Sequence, residues 1–212
     1  MQLIKKYFHD LTKKQEEQFA SLAGVYCYWN SRINVISRKD IDHLYLHHIL
    51  HSLSILKVIS FKQDTAVLDA GTGGGFPGIP LAIMFPESRF LLVDSTAKKM
   101  TVVTDAIKET GLKNCKVKWS RIEKLDLKFD FVVSRSVTAI PRMIGWISDK
   151  IMTNSFNSLP NGMFYLKGGH FEEELKGIDY KYQIFNVSHF FSEDYFKTKK
   201  IVYVDLTCRK ND

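Results

Sequence analysis

The stretch Val67-Leu68-Asp69-Ala70-Gly71-Thr72-Gly73-Gly74-Gly75-Phe76-Pro77-Gly78 constrains the fold of this chain more than any other. An apolar strand runs into an acid, then a glycine loop, then a helix that starts at a proline. That order describes a nucleotide-type cofactor held at the end of a first β-strand, because glycine adopts positive φ and lets backbone approach a ligand closely. In a dinucleotide fold the first strand runs into Gly-x-Gly-x-x-Gly, and the key acid follows roughly 20 residues on. Here Asp69 already stands two residues before the first glycine. A pyrophosphate is repelled by an anion there, whereas a cofactor bearing an ammonium and a sulfonium is attracted. The loop therefore favours S-adenosylmethionine over NAD. Asp69 is expected at the methionine ammonium, with the backbone of Gly71, Gly73 and Gly75 along the cofactor.

From about residue 65 the chain alternates apolar runs with helical patterns. Strands are expected at 66–68, 90–93, 117–119, 129–133 and 163–166, and helices at 77–85, 97–110 (ended by Gly111) and 137–152. Such βαβ alternation implies a parallel sheet covered on both faces. The chain ends differently, with strands expected at 182–190 and 200–207 and no helix between them. An antiparallel final hairpin closing the sheet favours a Rossmann-like, seven-stranded methyltransferase-type α/β fold. Residues 1–60 read instead as helices. Leu11, Gln15, Phe19, Leu22 and Tyr26 fall near a 3.6 period, and Ile41, Leu44, Tyr45 and Leu53 open a second apolar stripe. The expected organisation is a helical extension over 1–60, forming the cleft and the RNA contact, and a cofactor-binding domain over 61–212.

At 212 residues the chain suits one domain with an appendage. A net charge of +7 is compatible with a polyanionic partner. Cys27, Cys115 and Cys208 are too few and too scattered for a disulfide framework or a zinc site, which fits a reducing cytosol. The first twenty residues are charged throughout, unlike a secretory signal, and no apolar run reaches the roughly 18 residues of a membrane span.

Ligands of open α/β sheets bind beyond the carboxyl ends of the strands, so the residues there are the candidates for chemistry. Asp94 closes the second strand, 25 residues after Asp69, where a carboxylate accepts from ribose hydroxyls or caps the following helix. Ile122 and Glu123 follow the third strand, placed to contact adenine or to form a surface turn. Arg135 follows the fourth strand and can clamp the cofactor carboxylate or an RNA phosphate. Lys167 follows the fifth, aimed at the substrate side and suited to a phosphate. Four histidines crowd one segment. His43, His47 and His51 recur at i, i+4 and i+8, with His48 beside them, and no completing metal ligands are evident; a polar face near the substrate cleft is expected.

Two absences narrow the acceptor. No Asp/Asn-Pro-Pro-aromatic motif occurs, as exocyclic amine methylation would suggest, and no Pro-Cys pair supplies a nucleophile for attack at a pyrimidine carbon. Acceptors that are already nucleophilic remain. Guanine N7 is one, since its lone pair is exposed and no proton must be removed before attack.

Several segments together resemble the glucose-inhibited division protein B family of small-subunit ribosomal RNA methyltransferases. They are Tyr28-Trp29-Asn30 through Asn34-Val35-Ile36-Ser37, His48-Ile49-Leu50 with Ser52-Leu53, and Leu68 through Phe76-Pro77-Gly78-Ile79-Pro80. Leu92-Val93-Asp94-Ser95, Ser120-Arg121-Ile122-Glu123, Ser134-Arg135 and Leu166-Lys167-Gly168 continue the match. The resemblance implies a cytoplasmic bacterial enzyme that methylates N7 of one guanine in 16S rRNA with S-adenosylmethionine, here expected to act as a monomer. It also implies cofactor contacts at Gly71, Phe76, Ile122, Glu123 and Arg135. The chain departs from the family where many members have Arg-His-Ile-Leu-Asp-Ser and this one has His47-His48-Ile49-Leu50-His51-Ser52.

Overall fold

The computed structural model describes residues 1–33, 35–37 and 40–210, so Asn34 of the Trp-Asn segment lies outside the described residues. Seven strands form one sheet: β1 (Ala66–Ala70), β2 (Arg89–Asp94), β3 (Cys115–Trp119), β4 (Phe131–Arg135), β5 (Gly162–Gly168), β6 (Tyr180–Asn186) and β7 (Lys199–Arg209). Their order is β3-β2-β1-β4-β5-β7-β6. The first five pair in parallel, and β7 runs antiparallel between β5 and β6. The order in which strands are added reverses between β1 and β4, and a crevice opens beyond the strand ends at such a switch point.

The seven-stranded sheet with an antiparallel last strand is the architecture expected from the sequence. Some boundaries differ for physical reasons. Residues 187–190 do not continue β6; a 3-10 turn at Val187–His189 instead drives Val187 and Phe191 fully inward. The helix expected over 137–152 is shorter. α6 spans Ile140–Ile147, because hydrogen bonds to Tyr165 hold residues 137 and 138 in a loop.

The helices are α1 (Gln2–Lys5), α2 (Lys13–Asn30), α3 (His51–Leu53), α4 (Gly78–Met84), α5 (Ala97–Thr110) and α6. A capping box opens α2: Thr12 Oγ1 accepts from the Gln15 amide, and Gln15 Oε1 accepts from the Thr12 amide. Phe19, Leu22 and Tyr26, three of the periodic positions, are buried. They share one core with Val67, Phe90, Phe131 and Phe164 from one face of the sheet. α6 covers the other face, packing Ile140, Met143 and Ile147 on Leu68, Val132 and Tyr165. The N-terminal helices are thus part of the wall that closes the sheet. No helix among the described residues is long and apolar enough to cross a membrane.

Candidate functional site

The glycine loop is tied down from beneath. The Gly71 and Thr72 amides donate to Val93 O at the end of β2, both at 2.9 Å. Asp69, fully buried, accepts from the Thr72 hydroxyl and, at 2.8 Å, from the Gly78 amide at the start of α4. One carboxylate oxygen therefore joins strand, loop and helix. The other, Oδ1, has no hydrogen-bond partner. Burial pushes the Asp69 carboxyl up to about 7, against the opposing bonds from Thr72 and Gly78 and the charge of Arg135. Asp69 thus lies below the cofactor crevice rather than on its wall.

The glycines are required by geometry at two positions especially. Gly71 has φ of +70° and sits under Val137, whose Cγ2 would lie 2.5 Å from an added Cβ. At Gly78 a Cβ would meet Asp69 Oδ2 at 2.5 Å and Leu92 Cγ at 2.9 Å. A third close approach, Val35 against Gly74, explains the Trp29-Asn30 segment. Trp29 Nε1 donates to Asp105 at 2.6 Å, joining α2 to α5, and buried Asn30 Oδ1 accepts from the Val35 and Ile36 amides. The chain after α2 is thereby folded back so that Val35 reaches the loop.

Above the loop lies a cavity of about 450 Å³. Gly71, Gly73, Phe76, Asp94, Ile122, Glu123 and Arg135 all line it, whereas Gly75 does not. Asp94 is 9% exposed; its Oδ2 accepts from the Gly73 amide at 3.0 Å and its Oδ1 from the Thr96 amide at 2.9 Å. It fixes the loop and the approach to α5 while each oxygen keeps lone-pair capacity for ribose hydroxyls. Ile122 and Glu123 start a 3-10 turn after β3, with Ile122 buried and Glu123 exposed. An adenosine-bearing cofactor fits this wall: a carboxylate for the ribose, an apolar ledge for the ring, and a glycine loop that a Cβ would obstruct. Sequence reading missed Val35, Lys99, Val137 and Trp146, which also line the cavity. Only Val137 carried a signal, standing two residues past the end of β4; Val35, Lys99 and Trp146 are brought in from the chain after α2, from α5 and from α6.

Arg135 is held from the N-terminal side. Its Nη1 donates to His47 O at 3.1 Å and its Nη2 to His48 Nδ1 at 2.9 Å, while the guanidinium lies 5.3 Å from the Phe76 ring centre. Because His48 Nδ1 accepts, its Nε2 carries the proton and donates to Asp40 Oδ2 at 2.6 Å. Burial and the neighbouring guanidinium push His48 down to about 4 against the pull of Asp40, so the ring is neutral. Burial works against Asp40, but its bonds with His47 and His48 prevail and hold it below the usual carboxylate range. The histidine segment is not one α-helix: a 3-10 turn (Ile41–His43), a π-helix (Leu44–Leu50) and α3 follow in succession. His47, His48 and His51 line a common cavity with Asp40 and Arg135, while His43 is exposed. π-helical turns recur at functional sites.

Lys167 lines neither cavity. Its Nζ bonds both Glu174 oxygens, at 2.9 and 2.8 Å, and Glu174 Oε2 also accepts from the Ile140 amide opening α6. Tyr165 completes this arrangement, accepting from the Val137 and Thr138 amides and donating to Thr138 O. Together they pin the loop whose Val137 covers Gly71. A tyrosine within an apolar strand was the signal for this, since a buried hydroxyl needs partners.

A family model described as rRNA small subunit methyltransferase G matches residues 15–202. A protein named ribosomal RNA small subunit methyltransferase G from Phocaeicola vulgatus is 52% identical over 207 residues, covering 98% of this chain and 99% of that one. Its namesake from Flavobacterium psychrophilum is 52% identical over 206 residues, covering 97% and 98%. Among solved structures, an rRNA methylase from Streptococcus thermophilus aligns with a TM-score of 0.52 at 11% identity, covering 74% of this chain and 93% of that one. A SAM-dependent methyltransferase from Aquifex aeolicus aligns at 0.55 and 17% identity, covering 80% and 98%. These two likenesses are of fold, the class I methyltransferase fold.

Proposed function

The chain belongs to the rRNA small subunit methyltransferase G family, and on that premise we propose that it methylates N7 of a guanine in 16S rRNA of the small ribosomal subunit, with S-adenosylmethionine as donor. The observation that carries this reading is the cavity at the end of β1, β2 and β4, with Asp94, Ile122 and Arg135 on one wall system above the glycine loop. When bound, the cofactor supplies a sulfonium methyl group, which the N7 lone pair takes as the carbon–sulfur bond breaks.

The residues of the chain bind and orient. Asp94 receives the ribose hydroxyls, Ile122 and Glu123 border the adenine, and Gly71, Gly73 and Gly75 shape the loop along the methionine portion. Asp69 acts from below, setting the loop through Thr72 and Gly78. Arg135 stands at the methionine end beside Phe76. Lys167 contributes by positioning, holding residues 137–140 through Glu174. No proton need leave guanine before transfer, so positioning suffices for much of the acceleration. The N-terminal helices widen the RNA footprint, and the net charge of +7 supports association with rRNA. The enzyme acts as a cytoplasmic monomer.

Ligand-dependent melting tests the cofactor side. S-Adenosylhomocysteine should raise the melting temperature and NAD should not. Asp94→Ala should weaken S-adenosylhomocysteine binding roughly 10- to 100-fold, as loss of bonds to a charged group implies. Stabilisation by NAD, or unchanged affinity in the variant, would contradict the assignment.

A further inference from the structure

A second cavity, of about 290 Å³, opens beside the first, and the two share Arg135 and Ser136. Its walls come from the irregular histidine segment, from Gly168 at the end of β5, and from Tyr195 and Lys199 at the entrance to β7. Ser136, on the common rim, has a φ of +51°. Non-glycine residues keep such a conformation where the surroundings enforce it, often at functional sites.

Three features suit this cavity to a planar, polar ring. Tyr195 and His47 are stacked, with ring centres 3.8 Å apart and planes 17° apart. His43 packs on His47 as well, with ring centres 4.6 Å apart, so the cavity is bordered by the edge of a rigid aromatic stack. His51 is 4% exposed, lines the cavity, and has no hydrogen-bond partner at either ring nitrogen. Burial and nearby positive charge keep it neutral, so it offers one N–H and one bare acceptor nitrogen. Buried polar groups are rarely left unpaired without a reason. Lys199 Nζ rests 4.6 Å from the Tyr195 ring centre and forms no ion pair with a described carboxylate. Asp40, the acid of this cavity, is already engaged by His47 and His48.

Resting on the guanine-N7 reading above, we propose that this cavity receives the target guanine, flipped out of the RNA, and that Lys199 and His51 read its edge. The Lys199 ammonium donates to O6, and the bare His51 nitrogen accepts from N1–H. Enzymes that modify a base commonly extrude it into such a pocket and read it by stacking and by its pairing edge. Guanine places an acceptor and a donor side by side here, and adenine reverses both. An ammonium has no acceptor lone pair, so facing an adenine amino group it leaves two donors opposed. A site built on such bonds discriminates strongly against the wrong ring. O6 stands beside N7 on one edge of the ring, so the Lys199 ammonium reaches O6 from the N1 side and leaves the N7 lone pair to face the shared rim. Arg135 directs one N–H of each terminal nitrogen away from the base, to His47 O and His48 Nδ1.

The test uses the full chain and small ribosomal subunits from cells lacking this methylation. Methyl transfer, and calorimetric affinity for S-adenosylhomocysteine, are measured for the wild type, Lys199→Met, His51→Phe and His51→Gln. In both Lys199→Met and His51→Phe, kcat/KM should fall roughly 10- to 100-fold, as expected when a substrate polar group loses its partner. Affinity for S-adenosylhomocysteine should stay within about twofold, and His51→Gln, which keeps a donor and an acceptor, should retain more transfer than His51→Phe. Transfer by Lys199→Met and His51→Phe near the wild-type rate would overturn the pocket, and so would losses matched by equal losses of S-adenosylhomocysteine affinity. A wild type that leaves the rRNA unmethylated would contradict the proposed function itself, and the pocket with it.

Discussion

His48 decides which way the guanidinium of Arg135 points. The ring can accept from Arg135 only while Nδ1 is bare, and burial keeps it so by pushing the pKa down to about 4. The ordinary value is 6.5, so the unfolded chain binds a proton between these limits and the folded one does not. Stability from this group is therefore complete above about pH 6.5 and is lost as the pH falls from there through about 4. Ring-selective NMR should show His48 as the Nε2–H tautomer, titrating near pH 4. Titration near 6.5, or the opposite tautomer, would contradict the Asp40–His48–Arg135 chain. At this scale the sequence was legible where a strand end dictates what a residue meets, as for Asp94, Ile122 and Arg135. It was less so for Asp69 and Lys167. Their placement depends on Gly78, Thr72 and Glu174, partners brought in by neighbouring elements rather than by strand position.

Elements were read well where a single period ran uninterrupted and poorly where side-chain bonds override it. β1 to β5 and α5 follow their apolar patterns within two or three residues. The loop over 137–139 does not, because Tyr165 takes its amides and delays α6 until Ile140. The histidine segment also departs from a regular helix: its i, i+4, i+8 spacing describes an α-helical face, whereas 3-10 and π turns bring His48 to the same cavity. Tyr165→Phe removes both amide acceptors of the 137–138 loop at once. The expected cost is about 2 kcal/mol in stability, since two part-buried N–H groups lose their acceptor. Binding of S-adenosylhomocysteine should weaken too, as Val137 loosens over Gly71. Denaturant unfolding and calorimetry check both, and a variant unchanged in each would show that the loop is fixed by something else.

For the molecule as a whole, the sheet provides the donor cavity and the N-terminal helices provide the far wall. Val35 and the histidine segment reach the strand ends only because α2 shares a core with the sheet and Trp29 ties it to α5. The extension and the cofactor-binding part are one packed unit around two adjoining cavities, which explains why the Trp-Asn segment and the glycine loop occur together. That adjacency was not legible from spacing, because the residues involved are some forty positions apart and meet only in the fold. The most direct measurement is the nucleoside profile of small-subunit rRNA from cells with and without this protein, together with labelled methyl transfer by the purified chain. One N7-methylguanosine is expected that is lost with the protein and restored by it in vitro. Label at any other atom, or an identical profile in both cells, would contradict the proposed function.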